Sequence, residues 1–287
     1  MSKEYRPFFL DPSQFSDKAS VSASSAAGEA VATNVQNKLL KLPWRSVGLG
    51  TQYFTFDYGV SRTLDSLAII AHNFTYGATV EIWASNDPTF TVKTIVHAEG
   101  TMLPVPFGFG TGGFGMNGFG GSLDPVDVTL YALIPLIRWS ETTARYWRIF
   151  FRDATNPAGY MQVGRLMLDH SFLPESGYSY GYETGIVNPI SRGRTRGLGF
   201  YSGHSDFFVS GTFTFDRITV DEYRYVVDKM WRRVNTEAHL LFCLDESAEA
   251  EPWHFLWRMV ARFSRMPLFK HANAVHGQMQ IQLEEEK

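Results

Sequence analysis

The sequence predicts a mainly β protein, in which an antiparallel jelly roll or β-sandwich precedes an antiparallel sheet carrying one packed α-helix. Many short segments of strand composition are separated by turn residues. One segment alone has clear helical periodicity. The 287 residues amount to about twice the length of an ordinary domain. Aromatic residues make up 15% of the chain, which supplies enough apolar surface for two cores and excludes global disorder.

Composition excludes several classes of function. Lys and Arg number 26 against 29 Asp and Glu, giving a net charge of −3, so primary nucleic-acid binding is not expected. No run of 18 apolar residues occurs, and we expect no membrane insertion. The first residues lack the apolar run of a signal peptide, which predicts synthesis in the cytosol. The single cysteine, Cys243, excludes an internal disulfide and a multi-cysteine zinc site.

A first domain is predicted over residues 18–172, after an N-terminal arm at 1–17. Apolar and polar residues alternate in 79–84 (TVEIWA), where Val80, Ile82 and Ala84 share one side. Further segments have the same strand-like composition, bounded by turn residues such as Tyr58-Gly59. The predicted strands of this domain are 52–57, 66–71, 79–84, 93–97, 130–137, 146–151 and 162–168.

Residues 107–121 interrupt this pattern with eight Gly and four Phe in fifteen positions. Gly110, Gly112 and Gly115 match G-x-G-x-x-G, but no strand precedes them and no helix follows, so we reject a phosphate-binding loop. Either a partner orders this loop or its rings fold over one end of the sandwich. The first alternative predicts partner contacts by Phe107, Phe109, Phe114 and Phe119.

A linker is predicted over 173–191 and a second domain over 192–287. Its helix, at 219–234, opens with a capping box formed by Thr219 and Glu222. Apolar residues follow at helical spacing: Val220, Tyr223, Val226, Val227, Met230, Trp231 and Val234. The predicted strands are 207–216, 239–244, 253–263 and 278–283. Strands flanking one helix indicate an α+β unit with the helix on one face of the sheet.

Arg192, Arg194 and Arg196 alternate in an extended segment, which would point three guanidinium groups to one side. They are interpreted as a solvated edge that prevents strand aggregation, as an assembly contact to carboxylates of a partner, or as the lining of an electropositive channel. The sequence does not decide among these.

Candidate chemistry is sparse. His271 and His276 are five residues apart with no third ligand nearby, so no metal site is predicted. Cys243 lies in an apolar strand, where a thiol is usually inert. No H-E-x-x-H, G-x-S-x-G or P-loop motif occurs, and we predict no catalytic residue and no cofactor. The candidate ligand-binding residues are two aromatic side chains, Trp44 and Trp83.

Residues 20–172 resemble discoidin-type, galactose-binding-like domains. The similarity lies in 22–25 (SASS), 32–34 (ATN), 43–46 (PWRS), 64–73 with 78–87 (ATVEIWASND), 144–149 (ARYWRI) and 163–168 (VGRLML). The cysteines of secreted relatives are absent, and the Gly/Phe loop is an insertion. No sugar- or calcium-binding residue aligns, so the resemblance implies the jelly-roll fold and no ligand chemistry.

The order of the two domains resembles structural proteins of tailed-bacteriophage tails, such as distal-tail and baseplate proteins with a tail-tube-like second domain. That resemblance implies a non-enzymatic tail-tip component, which forms a homo-oligomeric ring with other tail proteins as partners. Its location would be the virion tail, after synthesis in the bacterial cytoplasm. The alternatives are a carbohydrate-binding module that attaches to a host-surface glycan, and a polysaccharide-degrading enzyme on a β scaffold.

Overall fold

The structure is a computed structural model. It describes residues 7–103, 134–175, 177, 182–187, 192–194, 200–202, 208–234, 236–244, 258–271, 273 and 275–286. The chain divides into two compact units. The sandwich unit comprises Leu10–Phe172 with Glu251–Arg258, and the helix-bearing unit comprises Met1–Phe9, Leu173–Ala250 and Met259–Lys287. Among the described residues, no helix is long and apolar enough to span a membrane.

The sandwich part of the chain is built of strands and two short 3-10 turns, Ser16–Lys18 and Ala32–Gln36. Strand β1 (Phe8–Leu10) precedes this part and lies mostly in the helix-bearing unit. The strands that follow it are β2 (Ser20–Ala23), β3 (Trp44–Arg45), β4 (Gln52–His72), β5 (Thr79–Ser85), β6 (Thr94–Thr101), β7 (Leu136–Arg152), β8 (Gln162–Asp169) and β9 (Ser171–Phe172). The antiparallel fold class expected from the sequence is confirmed.

Strands β4 and β7 run through both layers of the sandwich. The first half of β4 pairs with β2 and with the second half of β7, which continues to β5 and β6. The second half of β4 pairs with β8, and β8 pairs with β3. All pairs are antiparallel. The inward side chains of both layers meet in one core that includes Trp44, Phe54, Leu67, Trp147 and Leu166.

The predicted strands 52–57 and 66–71 are one strand of 21 residues. Register shifts lie between Asp57 and Arg62 and between Leu64 and Ser66, and Gly59 has a φ of +72°. The Tyr58-Gly59 pair predicted an end to the strand. Because glycine tolerates positive φ, the strand bends there as an irregularity and continues. Segment 146–151 likewise belongs to the 17-residue strand β7.

The helix-bearing unit contains the strands β10 (Glu183–Val187), β11 (Arg192–Arg194), β12 (Phe200–Ser202), β13 (Phe208–Thr219), β14 (Leu240–Cys243), β15 (Arg258–Phe263), β16 (Leu268–His271) and β17 (His276–Glu285). Its main sheet has the order β10-β13-β17-β15-β14-β1, with β16 also paired to β17, and β11 pairs with β12 separately. Strand β10 lies inside the segment predicted as an irregular linker, and β1 lies inside the predicted arm. Both segments gain their regular structure from pairing with distant strands, which local composition does not reveal.

The helix begins as predicted. Thr219 Oγ1 accepts from the Glu222 backbone N–H at 3.2 Å, and Glu222 Oε2 accepts from the Thr219 N–H at 2.8 Å. It runs as α1 (Val220–Arg224), continues as π-helical turns over Tyr225–Trp231 and ends in α2 (Arg232–Val234). The apolar stripe predicted a helix but did not distinguish α from π turns, since both place a buried residue about every four positions.

Candidate functional site

Trp44, one of the two tryptophans expected to contact a ligand, lies in the core of the sandwich. Its side chain has no exposed surface. The ring packs against Phe54 with 4.7 Å between centroids, and the indole N–H donates to Ser25 O at 2.8 Å. A side chain enclosed in this way has no face to offer a ligand.

The predicted assembly residues are only partly described. Arg192 and Arg194 lie on β11, opposite Ser202 and Phe200 of β12, and their role stays a prediction. The remaining predicted contacts lie outside the described residues: Phe107, Phe109, Phe114, Phe119, the rest of the 107–121 loop, and Arg196.

Trp83, the second predicted ligand residue, lies on the side of β5 that points away from the core. Strand alternation turns Val80, Ile82 and Ala84 inward and Glu81 and Trp83 outward. The same alternation applies to the neighbouring strands β4 and β7. We call the outward residues of this layer the outer face: Tyr53, Thr55, Glu81, Trp83, Arg148, Phe150 and Arg152, with Lys93 from the segment between β5 and β6.

Three aromatic rings lie side by side across the outer face. Phe150 is opposite Tyr53 on one neighbouring strand, with ring centroids 5.6 Å apart, and it packs against Trp83 at 4.3 Å. Tyr53 and Trp83 are half-buried and Phe150 is largely buried between them. The rings therefore form a continuous apolar surface across β4, β7 and β5, with partial access to solvent at both ends.

A charged network lies beside these rings. Glu81 Oε1 accepts from Trp83 Nε1 at 2.7 Å, and Glu81 Oε2 accepts from Arg152 Nη2 at 3.0 Å. Arg152 Nη1 also lies 3.3 Å from Glu99 Oε2. Partial burial acts to raise the pKa of Glu81, but the hydrogen bonds from Trp83 and Arg152 and the charges of Arg152 and Lys93 outweigh it and hold that pKa below its usual value. The carboxylate is therefore charged at neutral pH, and it fixes the orientation of Trp83.

Arg148 crosses the middle of the outer face. Its Nε donates to Thr55 Oγ1 at 3.0 Å. Its Cζ lies 4.8 Å from the ring centroid of Tyr53 and 4.1 Å from that of Phe90. Contact with two aromatic rings holds the guanidinium in one orientation.

The segment between β5 and β6 is organised around Asp87. The Asp87 carboxylate accepts from the Thr89 hydroxyl and from the backbone N–H groups of Thr89 and Thr91, and these bonds lower the pKa of Asp87 to about 2. Phe90 has a φ of +59°, a conformation that costs a residue other than glycine about 1–3 kcal/mol. The loop thus places Phe90 beside Arg148 against its intrinsic preference.

A second polar region, which we call the inner carboxyl cluster, consists of Asp17, Arg165 and Asp169. Asp169 has no exposed surface and accepts from the backbone N–H groups of Phe15, Ser16 and His170 at 2.9–3.0 Å. Burial raises the pKa of Asp169 to about 8, although these hydrogen bonds act in the opposite direction. Arg165, also fully buried, donates to both carboxylate oxygens of Asp17. The cluster fastens the chain near residue 16 to β8 and is too enclosed to meet a ligand.

The sequence singled out Trp83 as a candidate, and it did not single out the residues that the structure places beside it: Tyr53, Glu81, Arg148 and Phe150. The alternation in 79–84 contained the signal for Glu81, because a residue between two core positions must share the side of Trp83. Arg148 and its partner Thr55 are 93 positions apart. Only strand pairing brings such residues together.

The described residues contain no group of three or more His, Cys, Asp or Glu placed to hold a metal ion. His271 and His276 lie on the paired strands β16 and β17, opposite Gly277 and Thr219 respectively. Cys243 is buried in β14.

No known protein family matches the sequence, and no curated protein matches it. Among solved structures, the chain is similar to the family 32 carbohydrate-binding module of C. perfringens NanJ in complex with galactose, with 18% identity over 57% of this chain and 99% of that chain and a TM-score of 0.38. It is similar to chitosan-binding module 1 of a chitosanase/glucanase from Paenibacillus sp. IK-5, with 18% identity, 52% and 93% coverage and a TM-score of 0.35.

A Ruminococcus gnavus GH29 fucosidase in complex with fucose is 16% identical over 56% of this chain and 27% of that chain, with a TM-score of 0.39. TM-scores below 0.5 do not establish a shared fold.

Proposed function

We propose that the sandwich unit is a non-catalytic module that binds a glycan through its outer face. The observation that carries the proposal is that two features lie side by side. One is the aromatic surface of Tyr53, Phe150 and Trp83, and the other is the pair of charged groups, Glu81 and Arg152, held beside it by hydrogen bonds. Binding sites for small molecules combine aromatic area with a few polar groups of fixed orientation.

Both features suit a sugar. A pyranose ring has apolar C–H faces that pack on aromatic rings and hydroxyl groups that need hydrogen-bond partners. Arg148 and Arg152 supply planar donors, and Glu81 supplies acceptor oxygens. Because Arg148 is already stacked and Arg152 is already paired, less side-chain entropy is lost when a ligand binds.

The state of Glu81 supports binding rather than hydrolysis. A glycosidase needs one carboxyl group that stays protonated near neutral pH to act as the general acid, and its pKa is raised by its surroundings. The pKa of Glu81 is displaced downward, which suits a permanent hydrogen-bond acceptor. An assay for new reducing ends on polysaccharides tests this point, and we expect none to form.

A glycan array probed with the full chain tests the proposal. We expect binding to at least one glycan, and loss of that binding in Trp83→Ala with the fold retained by circular dichroism. The matched control is Tyr160→Ala, since Tyr160 is another half-buried ring with a cation over it, that of Arg45. Full binding by folded Trp83→Ala, or binding to no glycan on the array, contradicts the proposal.

The tail-tip hypothesis from sequence stays a separate prediction. No contact among the described residues and none of the three structures named above supports it. It is compatible with glycan binding, since a tail protein could attach to a host-surface glycan. Mass spectrometry of purified particles would test it: absence of the chain from them would exclude the role.

A further inference from the structure

Lys93 and Arg148 are two cations of the outer face. Neither has a carboxylate within ion-pair distance among the described residues. The other cations of this layer are paired: Arg152 with Glu81 and Glu99, and Arg145 with Asp57. The outer face therefore carries positive charge that its own side chains do not neutralise.

Arg148 is arranged to bind an anion. Its Nε is used by Thr55, whereas its two terminal amino groups have no hydrogen-bond partner within the described part of the chain. Its stacking on Tyr53 and Phe90 leaves the donor edge of the guanidinium in a fixed plane. A planar arginine donates two parallel hydrogen bonds to a carboxylate or a sulfate, which a neutral hydroxyl cannot match.

Lys93 brings a second charge to the same place. Its Nζ lies 3.2 Å from the ring centroid of Trp83, and Trp83 is the direct cross-strand partner of Arg148. Lys93 therefore lies over the indole of Trp83, and Arg148 is at the paired position on the neighbouring strand. Lys93 is exposed at the end of a flexible stem, so its ammonium group can turn from the indole toward a bound anion.

We infer that the outer face selects an acidic sugar, whose carboxylate or sulfate accepts hydrogen bonds from Arg148 and Lys93 while its ring packs against the indole of Trp83. This inference rests on the proposed function and narrows its ligand to anionic glycans. The carboxylate of Asp87, in the same loop as Lys93, accepts hydrogen bonds from Thr89 and Thr91.

Calorimetric titration of the full chain tests the inference with three probes: a galacturonic acid tetramer, its neutral methyl ester and a sulfated galactose oligosaccharide. The first and third probes distinguish a carboxylate from a sulfate as the preferred anion. We expect at least one acidic probe to bind about 10-fold to 100-fold more tightly than the ester, as expected for charge-assisted hydrogen bonds. Raising the salt concentration from about 0.02 M to about 0.2 M should reduce the difference in affinity between the acidic probe and the ester, because salt screens exposed charges.

Variants locate the effect. Arg148→Gln and Lys93→Gln should each weaken binding of the acidic probe about 10-fold, and should weaken binding of the neutral ester by much less. Arg148→Lys keeps the charge and loses the planar donor pair, so its affinity for the acidic probe should lie between those of the wild type and Arg148→Gln. Lys93 is exposed, and its variant tests the inference even if Arg148→Gln does not fold. The matched control is Arg62→Gln, because Arg62 also lies over a ring, that of Phe15, but outside the outer face.

Equal affinity for acidic and neutral probes, or equal effects of Arg62→Gln and Lys93→Gln, would overturn the acidic preference and leave glycan binding standing. Failure to bind these probes together with failure on the glycan array would overturn the proposed function itself. The two failures are thus distinguishable.

Discussion

The outer face and the inner carboxyl cluster place carboxyl groups in opposite electrostatic environments. Glu81, on the outer face, keeps some exposure and has two donors and nearby cations, so its pKa is lowered. Asp169, in the inner cluster, has three backbone donors but no contact with water, and its pKa is raised to about 8. The extent of burial therefore decides the direction: donors and cations outweigh partial burial at Glu81, whereas full burial outweighs the hydrogen bonds at Asp169.

This difference separates two roles for polar groups in one unit. The outer face keeps Glu81 ionised at neutral pH and partly exposed, as recognition of a ligand requires. The inner cluster uses its carboxyl group to satisfy backbone N–H groups in the interior, which supports the fold.

The largest effect is expected from Asp169→Ala. The substitution leaves three N–H groups without their acceptor: the buried one of Ser16 and the part-buried ones of Phe15 and His170. At about 1 kcal/mol or more for each, the free energy of unfolding should fall by about 3 kcal/mol in urea titration. Asp169→Asn retains one acceptor oxygen, so its free energy of unfolding should fall by less than that of Asp169→Ala. If Asp169→Ala matches the wild type in stability, the structural role assigned to the cluster is wrong.

Stability should depend on pH through Asp169. Its pKa is about 8 in the folded protein and about 4 in an unfolded chain. Between these values the folded state holds a proton that the unfolded state has released, so stability falls as pH rises, by at most about 1.4 kcal/mol per pH unit. We expect a loss of about 2 kcal/mol between pH 5 and pH 7, measured by urea unfolding. Asp169→Asn should flatten this slope, and an equal slope in that variant would contradict the assignment.

Glu81→Gln should cost about 1 kcal/mol of stability at pH 7, since it removes the charge that binds Trp83 and Arg152. The sign of the pH dependence is opposite to that of Asp169. A lowered pKa contributes stability that is present above the unfolded value and lost as pH falls through the folded value. The difference between wild type and Glu81→Gln should therefore shrink below about pH 4. A difference that persists unchanged in acid would point to packing and not to charge.

Arg145→Gln should have the smallest effect on the stability of the fold. Arg145 pairs with Asp57 on the same layer through hydrogen bonds of 2.8 and 3.0 Å. Both side chains are exposed to solvent by a third or more, where water and salt screen the pair. We expect no measurable change in the midpoint of urea unfolding. A clear loss of stability would show that ion-pair geometry outweighs exposure on this surface.

Part of the fold was predictable from the sequence because local interactions encode it. Strand alternation in β5, and in β17 with Met279, Ile281 and Leu283 buried, depends on neighbouring residues alone. The capping box of Thr219 and Glu222 depends on residues three positions apart. These features were predicted with nearly the bounds that the structure has.

Longer-range features were not predictable in the same way. Trp44 looked like a ligand residue, because an indole serves a binding site and a core equally well by composition. Its burial depends on Phe54 and on the carbonyl of Ser25. The bend at Gly59 likewise depends on partner strands that hold β4 together on both sides of it.

The amino-acid sequence by itself determined the antiparallel β class, the alternation of inward and outward residues and the start of the helix. Tertiary structure alone decided which tryptophan is accessible and which residues form the outer face. The physical reason is one of distance along the chain. Strand alternation and helix capping depend on residues a few positions apart, whereas the neighbours of Arg148 are distant in the chain: Tyr53, Thr55 and Phe90. Strand pairing, and not local pattern, made these residues neighbours.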